Sequence, residues 1–143
     1  DSDGYQKKLV QKVRDLGIHP VVTFFGRVSE QEKFELLRRA HILFMPSVHE
    51  GWGLVVAEAA SQETPAIGYR TAGVKDVIVD GKTGVLVDPG RWEQLSVETL
   101  KLWKNKNRYT RLGEAGRKRA LSMNWDDTAS AALTVLVKTH EKK

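Results

Sequence analysis

The sequence reads Pro46-Ser47-Val48-His49-Glu50-Gly51-Trp52-Gly53-Leu54-Val55-Val56-Ala57-Glu58 at the point where one apolar run gives way to another. The first run, residues 42–45, is short and strand-like, whereas the second continues to residue 60 with the length of a helix. This order predicts a turn from a β-strand into an α-helix. In an open α/β sheet such turns lie at the carboxyl edge of the strands, where these folds bind ligands.

The start of this predicted helix is suited to a phosphate group. The first NH groups of a helix lack partners inside the helix, and the helix dipole adds positive potential at the same place. Gly51 and Gly53 allow the backbone to approach a ligand closely and to adopt positive φ. We therefore expect a phosphate or pyrophosphate at this turn.

Two carboxylates in the stretch have different surroundings. Glu50 lies in the loop, where the reacting end of a ligand would sit beside the phosphate. Glu58 lies about one turn inside the helix, on the same face as Leu54, and can accept hydrogen bonds from a ribose diol, as acidic residues do in dinucleotide folds. A sugar, a pyrophosphate and a ribose together make a nucleotide sugar, which is the ligand that the stretch predicts.

Length and composition are those of one soluble globular domain, with 143 residues, 41% hydrophobic and 29% charged. The chain has no cysteine, which excludes a disulfide framework and is consistent with the cytoplasm. No apolar run approaches the length of about 18 residues that a transmembrane helix needs. The four histidines are scattered and no metal site is expected: His19, His41, His49 and His140.

Positive charge is concentrated in residues 101–119, in a chain of formal net charge +5. The simplest interpretation is a helical surface with solvated basic side chains. The functional alternative is attraction to an anionic membrane surface, or to the phosphates of a ligand, which would make a cytoplasmic protein peripheral at the membrane. Nucleic acid is not an expected partner, because no base-stacking aromatic array or DNA-reading motif accompanies the charge.

Strand-like and helix-like segments alternate along the chain, which argues for a parallel sheet with helical crossovers. Strands are predicted at 21–25, 42–45, 66–69 and 85–87, and helices at 5–16, 29–40, 54–62, 75–79, 92–104, 108–122 and 126–140. The helix at 29–40 opens with a capping box, Ser29 and Glu32. The large apolar side chains expected in the core include Phe24, Phe25, Met45, Trp103 and Trp125.

These motifs resemble a known family, the family-4 retaining glycosyltransferases of the GT-B fold, also described as glycosyl transferases group 1. Residues 45–59, with Glu50-Gly51-Trp52-Gly53-Leu54 and Glu58-Ala59, resemble its E-x7-E region. The other similar segments follow in order over roughly residues 5–137: Val22-Thr23-Phe24-Phe25-Gly26-Arg27-Val28, Thr64-Pro65-Ala66-Ile67, Asp80-Gly81-Lys82-Thr83-Gly84-Val85-Leu86-Val87-Asp88-Pro89, and a tail beginning at Trp125.

The resemblance implies a Rossmann-like doubly wound parallel sheet with flanking helices. It identifies residues 1–143 as the C-terminal, donor-binding half of such an enzyme, whose partner is the N-terminal acceptor-binding half. In the family two further strands and a basic pair precede the matching segments, so we expect a sheet without its first two strands. Those strands are central in the order 3-2-1-4-5-6, so the remaining central strand edges should bury badly. Without the basic pair and the acceptor-binding half, the isolated fragment is expected to be inactive in transfer.

The resemblance also implies a role for each candidate residue. Glu50 should bond the hydroxyls of the donor sugar without acting as a nucleophile, and Glu58 should hold the ribose hydroxyls. The remaining donor-site candidates are the backbone NH groups of Gly53 and Leu54, which should face the sugar or distal phosphate, Gly51 in the same turn, the loop of Gly26, Arg27 and Val28 near the base, and Ser47. A surface position for Arg27 and a turn-stabilising role for Ser47 remain open alternatives.

The implied reaction is hexosyl transfer from a UDP- or GDP-sugar to an acceptor, with retention of configuration and without a bound metal or other cofactor. Two alternatives stay open: a non-catalytic nucleotide-binding or scaffold module of the same fold, and a GT-B epimerase or phosphorylase. One departure from the family concerns Glu63, which stands where a helix-ending glycine is common. We expect Glu63 in the left-handed conformation, at a cost of about 1 kcal/mol.

Overall fold

The computed structural model describes residues 2–140. Contacts divide the chain into two compact units, one ending at Glu30 and the other beginning at Gln31. Within the described range the helices are α1 (Ser2–Asp15), α2 (Glu30–Arg39), α3 (Leu54–Ser61), α4 (Val74–Val77), α5 (Trp92–Lys104), α6 (Lys106–Leu121) and α7 (Trp125–His140), and the strands are β1 (Leu43–Met45), β2 (Ala66–Tyr69) and β3 (Gly84–Val87).

The second unit is built on a parallel sheet in the order β1-β2-β3. Phe44 pairs with Ile67, and Ile67 pairs with Val85 on the other side of the central strand. Helices α3 and α4 connect the successive parallel strands, as a crossover requires. The predicted α/β fold is confirmed, and β1, β2 and β3 occupy the segments where three of the four strands were expected.

Successive strand residues point to opposite faces of this sheet, and helices pack against both faces. One core cluster joins Ile67 and Val85 to Leu102 of α5 and Leu112 of α6. The other joins Ala66 and Leu86 to residues of α3 and α4. Leu102 and Leu112 are completely buried, which contributes about 1.5–3 kcal/mol each. Because both faces are covered, a ligand can approach the sheet at the ends of its strands.

The first unit differs from the sequence prediction. Helix α1 ends at Asp15 and is followed by Gly17 with φ 67°, as expected for a glycine after a helix. The predicted strand at 21–25 is wrong: residues 19–21 form a 3-10 helix and residues 22–25 have no regular structure. Val22 is locally extended, but a strand also needs a hydrogen-bonding neighbour, and the sheet in the described part of the chain consists of β1, β2 and β3 alone.

Four of the five large apolar side chains expected in the core are exposed. Phe24 and Phe25 lie in the segment without strand structure, and Trp125 lies on α7, none of whose residues is buried. Trp103 follows the buried Leu102 on α5, and one residue along a helix rotates a side chain by about 100° away from the core stripe. Met45 is partly buried and packs against the cluster on the α3 side.

The basic stretch at 101–119 is partly used for internal contacts. Arg119 donates to the backbone carbonyls of Asp76 and Val77 at 2.8 and 3.1 Å, which satisfies the carboxyl end of α4. Arg108 and Arg117 form ion pairs with glutamates. Most basic side chains of this stretch are exposed, as the interpretation of a solvated basic surface predicts, but these three arginines also make contacts within the fold. Within residues 2–140, no helix combines the length and hydropathy needed to cross a bilayer.

Candidate functional site

The predicted strand-to-helix turn is present between β1 and α3. The strand ends at Met45, the loop occupies residues 46–53, and the helix begins at Leu54. Gly53 is the N-cap residue in the left-handed conformation, with φ 78° and ψ 45°, and no side chain caps the helix. The amino end of α3 is thus free of a side-chain cap in a turn that favours glycine.

A second loop packs against the first at the carboxyl edge of the sheet. The hydroxyl of Thr71, two residues after β2, donates to the carbonyl oxygen of Ser47 at 3.0 Å. Gly73 has φ 79°, and a Cβ atom at this position would lie 2.6 Å from the carbonyl oxygen of Glu50 and 2.9 Å from that of Gly51. Residues 71–74 lie between the strand predicted at 66–69 and the helix predicted at 75–79, and none of them was predicted to belong to the site. Their position directly after a predicted parallel strand was the signal that could have joined them to the site.

Glu50 is partly buried in the first loop. Its Oε1 atom accepts a hydrogen bond from the backbone NH of Gly51 at 3.1 Å. The backbone carbonyl of the same residue faces Gly73, as described above. Main-chain packing therefore fixes the place of Glu50, while its carboxylate retains acceptor capacity for a ligand.

Glu58 lies on α3 and forms an ion pair that was not predicted from the sequence. Its Oε1 atom is 2.8 Å from Nζ of Lys33 on α2, and the side chains are 26% and 25% exposed. The two residues are 25 positions apart, so neither helical nor strand spacing relates them in the sequence. The carboxylate is partly buried and held at one oxygen.

Of the other predicted site residues, Leu54 and Ser47 lie at the turn between β1 and α3, whereas Gly26 and Arg27 lie in the first unit. The side chain of Leu54 is 64% exposed at the first position of α3, beside the glycine turn. The Ser47 hydroxyl donates to Sδ of Met45 at 3.8 Å, in agreement with a role in the turn. Gly26, with φ 65°, and Arg27 are exposed and belong to the first unit. Their contact with a base stays a prediction.

Electrostatic contacts tie β2 to the segment around β3. The Asp80 carboxylate accepts from the backbone NH of Leu86 at 2.9 Å and from Nη2 of Arg70 at 2.6 Å. Burial raises the pKa of Asp80, but these hydrogen bonds and the positive charge of Arg70 outweigh it, so the pKa is lower than that of an ordinary aspartate. Among residues 2–140, no three His, Asp or Glu side chains are grouped to hold a metal ion.

Comparison with known proteins settles the family. The model of the family described as "Glycosyl transferases group 1" matches residues 2–119. The chain belongs to the group 1 glycosyltransferases. A curated member of similar sequence, the D-inositol 3-phosphate glycosyltransferase of Corynebacterium kroppenstedtii, is 33% identical over 119 residues, which cover 81% of this chain and 26% of that protein.

Solved structures show the same GT-B, Rossmann-like fold. The sucrose-phosphate synthase of Thermosynechococcus elongatus superposes with a TM-score of 0.84 at 23% identity, over 98% of this chain and 35% of that protein. HepE of Anabaena, solved in complex with UDP-glucose, gives 0.83 at 19% identity, over 96% of this chain and 37% of that protein. The chain of this group 1 glycosyltransferase thus spans about a quarter to a third of the length of these relatives.

Proposed function

We propose that this chain supplies the donor site of a retaining glycosyltransferase that moves a hexose from a UDP- or GDP-sugar to an acceptor. The observation that carries the proposal is the turn from β1 into α3, where a left-handed Gly53 opens the helix, Glu50 precedes it and Glu58 lies within it. Membership of the group 1 glycosyltransferases supports transfer from a nucleotide sugar. The binding of UDP-glucose by HepE, a protein of the same fold, points in the same direction.

The principal task of such a site is to stabilise the departing nucleoside diphosphate. The bond between the sugar's anomeric carbon and the diphosphate oxygen breaks, and negative charge develops on that oxygen. The uncapped amino end of α3 offers backbone NH groups and a favourable dipole to this charge. The acceptor oxygen then bonds the anomeric carbon from the face that the diphosphate leaves, and its proton passes to the leaving phosphate.

The two glutamates would divide the recognition of the donor between them. Glu50 orients the sugar through its hydroxyls, and Glu58 anchors the ribose. The resemblance further implies that Gly26 and Arg27 border the base, which stays a prediction. We expect the reaction to proceed without a bound metal ion, since the helix end would neutralise part of the diphosphate charge.

Nucleotide binding by the full-length protein that carries this chain tests the proposal. Isothermal titration calorimetry in EDTA would compare UDP, GDP, UDP-glucose and GDP-mannose. We expect one base to bind, with affinity lost in Glu58→Ala and kept in Glu114→Ala, which removes an exposed glutamate of α6. Failure of both nucleotides to bind, or equal loss in both variants, would contradict the donor-site role.

Activity separates the enzyme from a non-catalytic module of the same fold. We expect the sugar of the bound nucleotide to appear on an acceptor with the same anomeric configuration as in the donor, which the proton coupling constant at the anomeric carbon reports. Binding without hydrolysis of the donor or transfer to any acceptor would favour the module. A product of opposite configuration would contradict retention.

Cytoplasmic location is part of the same proposal, since nucleotide sugars are its substrates. Adsorption to anionic lipid through residues 101–119 stays a prediction. The contacts of Arg108, Arg117 and Arg119 within the fold reduce the charge available for it. Cosedimentation with phosphatidylglycerol vesicles, compared with phosphatidylcholine vesicles, would decide whether the remaining basic side chains suffice.

A further inference from the structure

We infer that Lys33 is a positioning residue for Glu58, and that it sets the preference of the donor site for a ribose diol. This inference rests on the proposed function, because it assumes that Glu58 meets the ribose. The observation behind it is the contact between Lys33 Nζ and Glu58 Oε1 at 2.8 Å, which joins α2 to α3.

The geometry of this pair suits positioning better than surface stabilisation. A glutamate side chain has several rotatable bonds, and an exposed ion pair contributes little because both partners move freely in water. Here each side chain is only about a quarter exposed, and a charge-assisted hydrogen bond at this distance fixes the direction of the carboxylate. Lys33 thereby removes much of the freedom that Glu58 would otherwise lose on binding a ligand.

Acceptor capacity remains for two hydroxyls. An ionised carboxylate offers roughly four lone-pair directions over its two oxygens. Lys33 occupies one direction at Oε1, which leaves Oε2 and the rest of Oε1 to accept from adjacent hydroxyl groups. A vicinal diol matches this arrangement, whereas a sugar without these hydroxyls would leave the oriented carboxylate without its ligand.

The selectivity between ribose and dideoxyribose tests the inference. In the full-length protein, dissociation constants would be measured for UDP and GDP and for their 2′,3′-dideoxy counterparts. Lys33→Met keeps the apolar stem of the side chain and removes its charge. We expect it to weaken binding of the ribose form about three- to tenfold, while binding of the dideoxy form changes little. Lys33→Arg, which restores a cation, should recover most of the preference.

Matched variants exclude a general effect on the fold. Lys101→Met removes another lysine–glutamate pair, with Nζ 2.6 Å from Oε1 of Glu98 on α5, and should leave both affinities unchanged. In a Glu58→Ala background, Lys33→Met should cause no further loss of ribose preference, because its effect acts through Glu58. In steady-state kinetics, Lys33→Met should change kcat less than it changes the KM for the donor.

The outcomes also separate this inference from the proposed function. If Lys33→Met weakens the ribose and dideoxy forms equally while Glu58→Ala abolishes the ribose preference, the positioning role is wrong and the donor site stands. An unchanged ribose preference in Lys33→Met would lead to the same conclusion. If the unmodified protein binds neither UDP nor GDP, both proposals are overturned.

Discussion

Gly73 lies against the backbone of Glu50 so closely that a Cβ atom at Gly73 would be 2.6 Å from the Glu50 carbonyl oxygen. This contact joins the loop after β2 to the loop that carries the first glutamate of the candidate site. Real Cβ atoms do not approach an oxygen at that distance, so any larger residue must displace one loop. The position of Glu50 therefore depends on a glycine that follows a different strand.

Replacement of Gly73 by alanine should disturb both stability and binding. Gly90 provides a control that is matched in φ, which is 80° there and 79° at Gly73, but a Cβ at Gly90 would meet nothing within 4 Å. We expect Gly90→Ala to lower the free energy of unfolding by about 1–2 kcal/mol through backbone strain alone. Gly73→Ala should cost about 2–4 kcal/mol because overpacking adds to the strain.

Urea denaturation would measure the two stabilities, and calorimetry would measure nucleotide affinity. Only Gly73→Ala should weaken nucleotide binding, since only it moves the loop of Glu50. Equal losses of stability in the two variants, with affinity unaffected, would show that the contact with Glu50 does not constrain the loop.

The left-handed Glu63 offers a route to a more stable chain. Its φ is 62°, and it is the one non-glycine residue with positive φ among those described. Glu63→Gly removes the strain but also the ion pair with Arg117, in which both side chains are about half exposed. Exposed pairs are weak, so we expect a gain of about 0.5–1 kcal/mol in the free energy of unfolding.

The variant Arg117→Met isolates the ion pair from the backbone effect. Urea denaturation should show a change below about 0.5 kcal/mol for this variant. If Glu63→Gly instead lowers stability while Arg117→Met lowers it by a similar amount, the ion pair outweighs the strain and the expectation is wrong.

Local sequence patterns were sufficient for most of the second unit. The turn at 46–53 was predictable because glycines and a helix-length apolar run follow a short apolar strand, and the left-handed Glu63 was predictable from its place at a helix end. The lack of a strand at 21–25 was not predictable in this way. Val22 has the extended backbone of a strand, but pairing depends on a neighbour that no local pattern supplies.

Two contacts of the candidate site were not predicted because they also depend on neighbours that are distant in the sequence. Lys33 and Glu58 meet because the fold brings a long side chain of α2 to α3, and the sequence contains no periodicity that links positions so far apart. Gly73 meets Glu50 because parallel strands end at one edge. Contacts of this kind follow from topology, so they become predictable only after the order of the strands is known.

The Asp80 contacts predict a loss of stability in acid. The folded chain binds a proton at Asp80 less tightly than the unfolded chain does, because the pKa of this carboxyl is lowered on folding. Its contribution is therefore complete above the unfolded pKa of about 3.9 and is lost as the pH falls through the lower folded value. Wild type should lose stability more steeply below about pH 4 than Asp80→Asn does.

Urea unfolding between pH 6 and pH 3 would test this dependence. Asp88→Asn is the control, because Asp88 is 72% exposed and its Oδ1 lies 3.9 Å from Nε of the same Arg70. We expect its pH profile to follow that of the wild type. Parallel profiles for all three proteins would show that Asp80 carries no pH-dependent stabilisation.

The division of work between Glu50 and Glu58 should appear in the kinetics of the full-length protein. Glu50 lies in the loop before α3 and would act on the sugar as charge develops, so Glu50→Ala should lower kcat about 100-fold or more with little change in KM. Glu58 would hold the ribose equally in the ground state and the transition state. Glu58→Ala should therefore raise the donor KM roughly 10- to 100-fold, as loss of charged hydrogen bonds implies, with a smaller effect on kcat.

The conservative variants sharpen this comparison. Glu50→Gln keeps the size of the side chain, and because its amide still offers one acceptor oxygen it should retain more activity than Glu50→Ala. Single-turnover measurements at saturating donor would separate the chemical step from release of the nucleotide, so that a change in kcat can be assigned. Small and equal effects of Glu50→Ala and Glu58→Ala on both constants would mean that the two glutamates do not have separate roles, and the backbone of the glycine turn would then carry the recognition of the donor.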